Sequence, residues 1–177
     1  MADNLYLIGF MGTGKTSVGR ELSRQLKREF LEIDELIEAG EGKPITAIFK
    51  NYGEQFFRAR ERAVLQEISL KSDLVVSCGG GIVIRRKNRE LMKTSGKVIC
   101  LYADPEAVYK RVKDCADRPL LNVPDPEIRI KELLEQRAAF YQDADFTVDT
   151  TFLTVAEVVA VIREKLKDDQ KISDTDQ

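Results

Sequence analysis

The sequence predicts a three-layer α/β/α domain built on a five-stranded parallel sheet. Three observations predict it. Five short apolar stretches alternate with longer amphipathic ones. The first of them runs straight into a glycine-rich loop that opens a helix. The 177 residues contain no internal repeat, so one domain is expected, large enough to bury a core without staples.

The elements follow in order. Leu5-Tyr6-Leu7-Ile8 is the first strand, and Gly9-Phe10-Met11-Gly12-Thr13-Gly14-Lys15-Thr16 after it fits G-x-x-x-x-G-K-[ST], with a helix over 17–27. A short strand over 30–33 leads into a helix over 34–39, stopped by Gly40 and Gly42. A brief helix over 45–51 closes near Gly53, and a longer one over 54–70 carries Phe57, Val64, Leu65 and Ile68 on one face. Leu74-Val75-Val76-Ser77 is a strand ending abruptly in Cys78-Gly79-Gly80-Gly81. Residues 97–102 form the fourth strand, and Asp104-Pro105 starts a helix with N-cap and proline in order. Residues 116–126 hold three of the five prolines and show no periodicity. A helix over 127–141, a strand over 145–148 and an amphipathic helix over 155–166 complete the fold. The polar stretch 168–177 is expected to fray.

Composition narrows the chemistry. A formal charge of −2 provides no basic field to recruit nucleic acid. No run approaches a membrane span, and the first strand starts almost at Met1, so neither a membrane segment nor a signal peptide is expected. Cys78, Cys100 and Cys115 are odd in number and lack C-x-x-C spacing, which suits reduced thiols and a cytoplasmic protein. The absence of histidine excludes Ser–His–Asp and Cys–His catalysis and histidine-bound zinc, leaving a carboxylate or lysine as any general base.

Strand, glycine loop and helix together point to a bound nucleoside triphosphate. The glycines let successive N–H groups point inward at a helix N-terminus, making a nest for phosphate oxygens. Lys15, a loop residue facing solvent on this reading, reaches the β- and γ-phosphates, and the Thr16 hydroxyl suits Mg²⁺. The apolar run at 74–76 is followed by Ser77 rather than an acid, so a metal-facing carboxylate must come from Glu32 or Asp34. At i and i+2 on a strand these would point the same way; alternatively Glu32 faces solvent and Asp34 merely caps a helix. Arg58, Arg60, Glu61 and Arg62 crowd one segment, and spacing alone also allows a set of exposed helix pairs.

Taken together, the motifs resemble shikimate kinase, a small P-loop kinase of the nucleoside-monophosphate-kinase type. The resemblance runs from Leu5 to about Asp149. It rests on the P-loop, on Ile33-Asp34-Glu35-Leu36-Ile37-Glu38, and on Gly53-Glu54-Gln55-Phe56-Phe57-Arg58 with Glu61. Further on it includes Gly79-Gly80-Gly81, Arg118-Pro119-Leu120-Leu121, and Arg137 followed by Tyr141.

The resemblance implies one kinase domain over 1–167 that transfers phosphoryl from ATP to the 3-hydroxyl of shikimate with Mg²⁺, acting as a monomer. ATP would be held by Gly12, Thr13, Gly14, Lys15, Thr16 and Ser17, with Arg111 on the adenine. Arg118 would reach the phosphates from a mobile lid at about 113–126. Asp34 would accept the hydroxyl proton, and Arg58 and Arg137 would clamp the substrate carboxylate. Glu61 would orient Arg58, and Gly79, Gly80 and Gly81 would bring bare backbone to the substrate. The family commonly has aspartate where this chain has Glu32, so the metal role passes to Thr16 and a longer acid. Two alternatives stand beside shikimate kinase: a gluconate kinase of the same fold, with a different acceptor pocket, and a catalytically silent nucleotide-binding regulatory domain, which would not need Asp34, Arg58, Arg118 and Arg137 together.

Overall fold

The computed structural model describes residues 3–113, 121 and 123–175. Its strands are β1 (Asn4–Gly9), β2 (Glu29–Glu32), β3 (Leu74–Ser77), β4 (Gly96–Tyr102) and β5 (Phe146–Asp149). They form one parallel sheet in the order β2-β3-β1-β4-β5. The helices are α1 (Lys15–Leu26), α2 (Ile33–Glu41), α3 (Ile45–Ser69), α4 (Arg86–Ser95), α5 (Pro105–Val112), α6 (Pro126–Tyr141) and α7 (Val155–Thr175).

β1 is central and buried along its whole length, and strand alternation splits its side chains between two cores. Leu5 and Leu7 meet Val18 and Leu22 of α1 and Val158, Val159 and Ile162 of α7. Tyr6 and Ile8 face the other way, into a cluster with Ile33, Ile37, Phe57, Leu65, Met92 and Tyr141. This is the two-sided covering expected of an all-parallel sheet. Asn4, fully buried, holds the start of β1: its amide donates to the Lys71 carbonyl at 2.9 Å and accepts from the Leu74 N–H at 3.1 Å. Parallel β1 and β3 are thereby locked in register below the site.

Several elements differ from expectation. α2 runs through Gly40 and ends only at Gly42, whose φ of 62° supplies the left-handed cap. The expected pair of helices over 45–51 and 54–70 is present, as the two stretches of α3 separated at Gly53, whose φ 78° and ψ 173° are non-helical. α4 was not anticipated, because Arg86-Lys87-Asn88-Arg89-Glu90-Leu91-Met92-Lys93-Thr94-Ser95 shows no apolar period; it docks through buried Met92 and Asn88. Residues 168–175, expected to fray, continue α7, and Asp169 pairs with Lys97 at the foot of β4. Among the described residues, no helix is long and apolar enough to cross a membrane.

β1 must pass tightly beside β4 before the loop begins. Gly9 has φ 141°, and a Cβ there would lie 2.2 Å from the Leu101 carbonyl oxygen. The first glycine of the loop motif is thus required by the sheet. Gly9→Ala should lower stability by at least about 2 kcal/mol through combined strain and overlap with backbone, read as a drop in the urea midpoint. An unchanged midpoint would show that β1 and β4 can part at this point.

Candidate active site

The carboxyl ends of β1, β2 and β3 converge, as ligand sites in open α/β sheets do. After β1 the loop turns through Gly12 and Gly14, with φ 76° and 93°, and Thr13 ties it internally by donating to the Phe10 carbonyl at 2.8 Å. α1 then starts at Lys15 with no side-chain cap on its exposed N–H groups and no acid in its first turn. That is an anion site. Lys15 is not a solvent-facing loop residue: it occupies the first position of α1, half-buried, and its ammonium donates to the carbonyls of Gly9 at 3.0 Å and Phe10 at 2.9 Å. The ammonium is drawn across the mouth of the nest. Thr16 and Ser17 are exposed on the same first turn.

Glu32 and Asp34 do not share a strand. Glu32 ends β2, and Asp34 lies in the first turn of α2, so alternation along a strand does not relate them. Glu32 Oε1 accepts from the Ser77 hydroxyl at 2.8 Å, while its Oε2 is buried with no hydrogen-bond partner.

The three glycines after β3 lie, in turn, against each part of the site. A Cβ on Gly79 would sit 2.9 Å from Glu61 Oε1 and 3.0 Å from Asp34 Oδ1. On Gly80 it would meet the Gly9 carbonyl at 3.3 Å, and on Gly81 it would overlap the Arg58 guanidinium, 2.3 Å from Nη2. The run therefore carries bare backbone past two carboxylates, the P-loop and an arginine.

Arg58 and Glu61, three apart on α3, face each other rather than solvent. Arg58 Nη1 reaches both Glu61 oxygens at 3.1 and 3.0 Å, and Glu54 holds the other side at 3.2 Å. Arg137, buried on α6, donates to the Gly80 carbonyl at 3.3 Å and stands over the Phe10 ring. Tyr141, one turn further, donates to the same carbonyl at 2.9 Å. Met11, Asp34, Arg58, Glu61, the glycine run and Arg137 together line a cavity of about 580 Å³. A second cavity of about 520 Å³, between α6 and the β4–β5 face, is largely apolar and holds none of these acceptor-side residues.

On the nucleotide side, Arg111 of α5 bonds the Gly12 carbonyl at 3.1 Å and the carbonyls of Thr150 and Thr151 at 2.7 and 3.2 Å. Arg111 stays exposed, with one edge of its guanidinium engaged by these carbonyls. Arg118 and most of the expected lid lie outside the described residues. Sequence reasoning missed the roles of Ser77, Tyr141 and Thr150. Ser77 and Thr150 are single polar residues whose only signal is where they land in three dimensions, whereas Tyr141 stood in a motif with Arg137 that did not disclose its bond to the Gly80 carbonyl.

The shikimate kinase family model matches residues 11–167. The chain belongs to the shikimate kinase family. The shikimate kinase of Thermodesulfovibrio yellowstonii is 44% identical over 159 residues, covering 90% of this chain and 92% of the relative. That of Caldanaerobacter subterraneus subsp. tengcongensis is 41% identical over 165 residues, covering 93% and 96%. Among solved structures, shikimate kinase from Acinetobacter baumannii in complex with shikimate superposes with a TM-score of 0.92 at 38% identity, covering 96% of this chain and 95% of that one.

In this chain, burial pushes the Glu61 carboxyl up to about 7, against the pull of Arg58, with Asp34 adding to the rise and Arg85 opposing it. A carboxyl raised on folding stabilises the protein fully below its ordinary value of 4.5 and loses that contribution as pH rises through about 7. Glu61→Gln, which cannot titrate, should therefore lack this part of the decline, at most about 3 kcal/mol. Urea unfolding at pH 5 and pH 8 measures it. An equal pH difference in parent and variant would place the titrating group elsewhere.

Proposed function

We propose that this chain phosphorylates the 3-hydroxyl of shikimate from ATP, using Asp34 as base and Arg58 with Arg137 as carboxylate clamp. The observation that carries the reading is the glycine run, which brings a carboxylate, the buried Arg137, the half-buried Arg58 and the P-loop against one stretch of backbone. A planar guanidinium matches a carboxylate with two parallel donors, and both arginines are already ordered by protein contacts.

Phosphoryl transfer asks the protein mainly for positioning and charge. The nest and α1 N-terminus hold the phosphates, and Lys15 needs only to swing from the Gly9 and Phe10 carbonyls to a phosphate oxygen. Asp34 takes the hydroxyl proton as the oxygen bonds to the γ-phosphorus, and the bond to the β–γ bridging oxygen breaks to release ADP. Arg118, by family resemblance, adds positive charge to the transferring group. The edge of the Arg111 guanidinium is engaged by carbonyls, and its face suits adenine stacking.

Mg²⁺ would contribute charge neutralisation to the phosphates. Thr16 and Glu32 would hold it: Glu32 Oε2 is a buried oxygen with no partner, fixed in direction by Ser77, and oxygen donors of this kind suit a hard cation, directly or through water. The longer side chain at this position is thus braced by a hydroxyl at the end of β3.

A coupled ADP-release assay with shikimate tests the activity, and titration of each substrate tests the site. Arg58→Ala or Arg137→Ala should weaken shikimate binding by about 2–5 kcal/mol with ATP binding little changed, and Arg→Lys should be poor at both positions. Shikimate binding equal to the parent in both alanine variants would overturn the clamp. Asp34→Asn should lower kcat by about 10²–10⁴ with both substrates still bound, whereas near-parental turnover would leave Asp34 a positioning role only.

A further inference from the structure

A buried threonine outside every motif joins the two halves of the nucleotide site. Thr150 follows β5 and is 3% exposed. Its hydroxyl lies 3.2 Å from the Thr13 carbonyl and 3.0 Å from the Tyr102 carbonyl, and Arg111 Nη1 donates to it at 3.2 Å. A hydroxyl has one proton to give. The Tyr102 carbonyl is already tied to this residue by the Thr150 N–H at 2.8 Å, so it is the bond to the Thr13 carbonyl that adds a tie the backbone does not supply. Arg111 meanwhile holds the preceding carbonyl, that of Gly12, at 3.1 Å.

Two consecutive P-loop peptides are therefore gripped by their oxygens from the same side. In a planar trans peptide the C=O of one residue and the N–H of the next point in opposite directions. Holding the Gly12 carbonyl back against Arg111 turns the Thr13 N–H the other way. Holding the Thr13 carbonyl against Thr150 does the same for the Gly14 N–H. Both N–H groups belong to the loop that must face phosphate, and a glycine on either side of Thr13 leaves these peptides with little stiffness of their own.

We propose that Thr150 is a positioning residue for nucleotide binding. Its buried hydroxyl, acting with Arg111, sets the orientation of the P-loop peptides around Thr13 and ties them to the ends of β4 and β5. The inference rests on the reading of this loop as the ATP site. It adds a residue that need not touch ATP.

Thr150→Val keeps shape and removes the hydroxyl. It should weaken ADP binding, followed by calorimetry, and raise KM for ATP, each by about 3–10-fold, the range expected for one lost hydrogen bond. KM for shikimate should stay near parental. Thr150→Ser restores the hydroxyl and should restore ADP affinity. If Thr150→Val does not fold, Thr150→Cys, with its weak donor, decides on the same readout and should fall between parent and the expected loss. Parental ADP binding in the folded variant, or equal rises in both KM values, would overturn the proposal. So would failure of the serine variant to recover. A parent that binds no ADP at all would instead overturn the nucleotide reading beneath it.

Discussion

Between β3 and the 3₁₀ turn at Ile82–Ile84, the backbone passes Glu61 and Asp34, then the P-loop, then Arg58, with no room for a side chain at Gly79 or Gly81. The geometry of the acceptor side depends on this approach. A side chain at Gly81 would displace the guanidinium, and one at Gly79 would part the two carboxylates. Chain entropy makes three consecutive glycines costly. The cost is offset because the Gly80 carbonyl is gripped twice, by Tyr141 and Arg137, and the Cys78 N–H is bonded to the Leu7 carbonyl of β1.

The Arg58–Glu61 pair is poorly explained as a device for stability. Glu61 is fully buried, and taking two charges out of water offsets most of their attraction. Its value lies in order. Arg58 is held by Glu61 on one side and Glu54 on the other, against the face of Phe57. The guanidinium has thus lost its rotamer freedom before any ligand arrives. The same logic applies to Arg137, seated over Phe10, and to the P-loop carbonyls held by Arg111 and Thr150. In each case the protein fixes a flexible group before the ligand arrives.

The sheet order decides which of these groups can meet. With β1 central and β3 beside it, the P-loop and the glycine run emerge from neighbouring strand ends, and β2 on the far side of β3 places Glu32 against Ser77. β4 and β5 lie on the opposite flank and bring Tyr102 and Thr150 up beneath the loop. Acceptor and nucleotide sites thus divide across β1.

Local chemistry alone determined much of this protein. Periodicity identified the five strands and most helices, because those segments carry their burial pattern in adjacent residues. The P-loop was legible because its function is performed by backbone within eight consecutive residues. The break at Gly53 and the proline start of α5 were legible for the same local reason. α4 escaped, since a helix held by Met92 and Asn88 has too few apolar positions to show a period. Only tertiary structure decided what Glu32, Asp34 and Lys15 do: the two acids fall on different elements, and Lys15 folds onto carbonyls rather than into solvent. Burial of Glu61 and the knot at Thr150 were likewise beyond a linear reading. Their partners lie on other elements, and desolvation is a property of the packed interior that no run of neighbouring residues encodes.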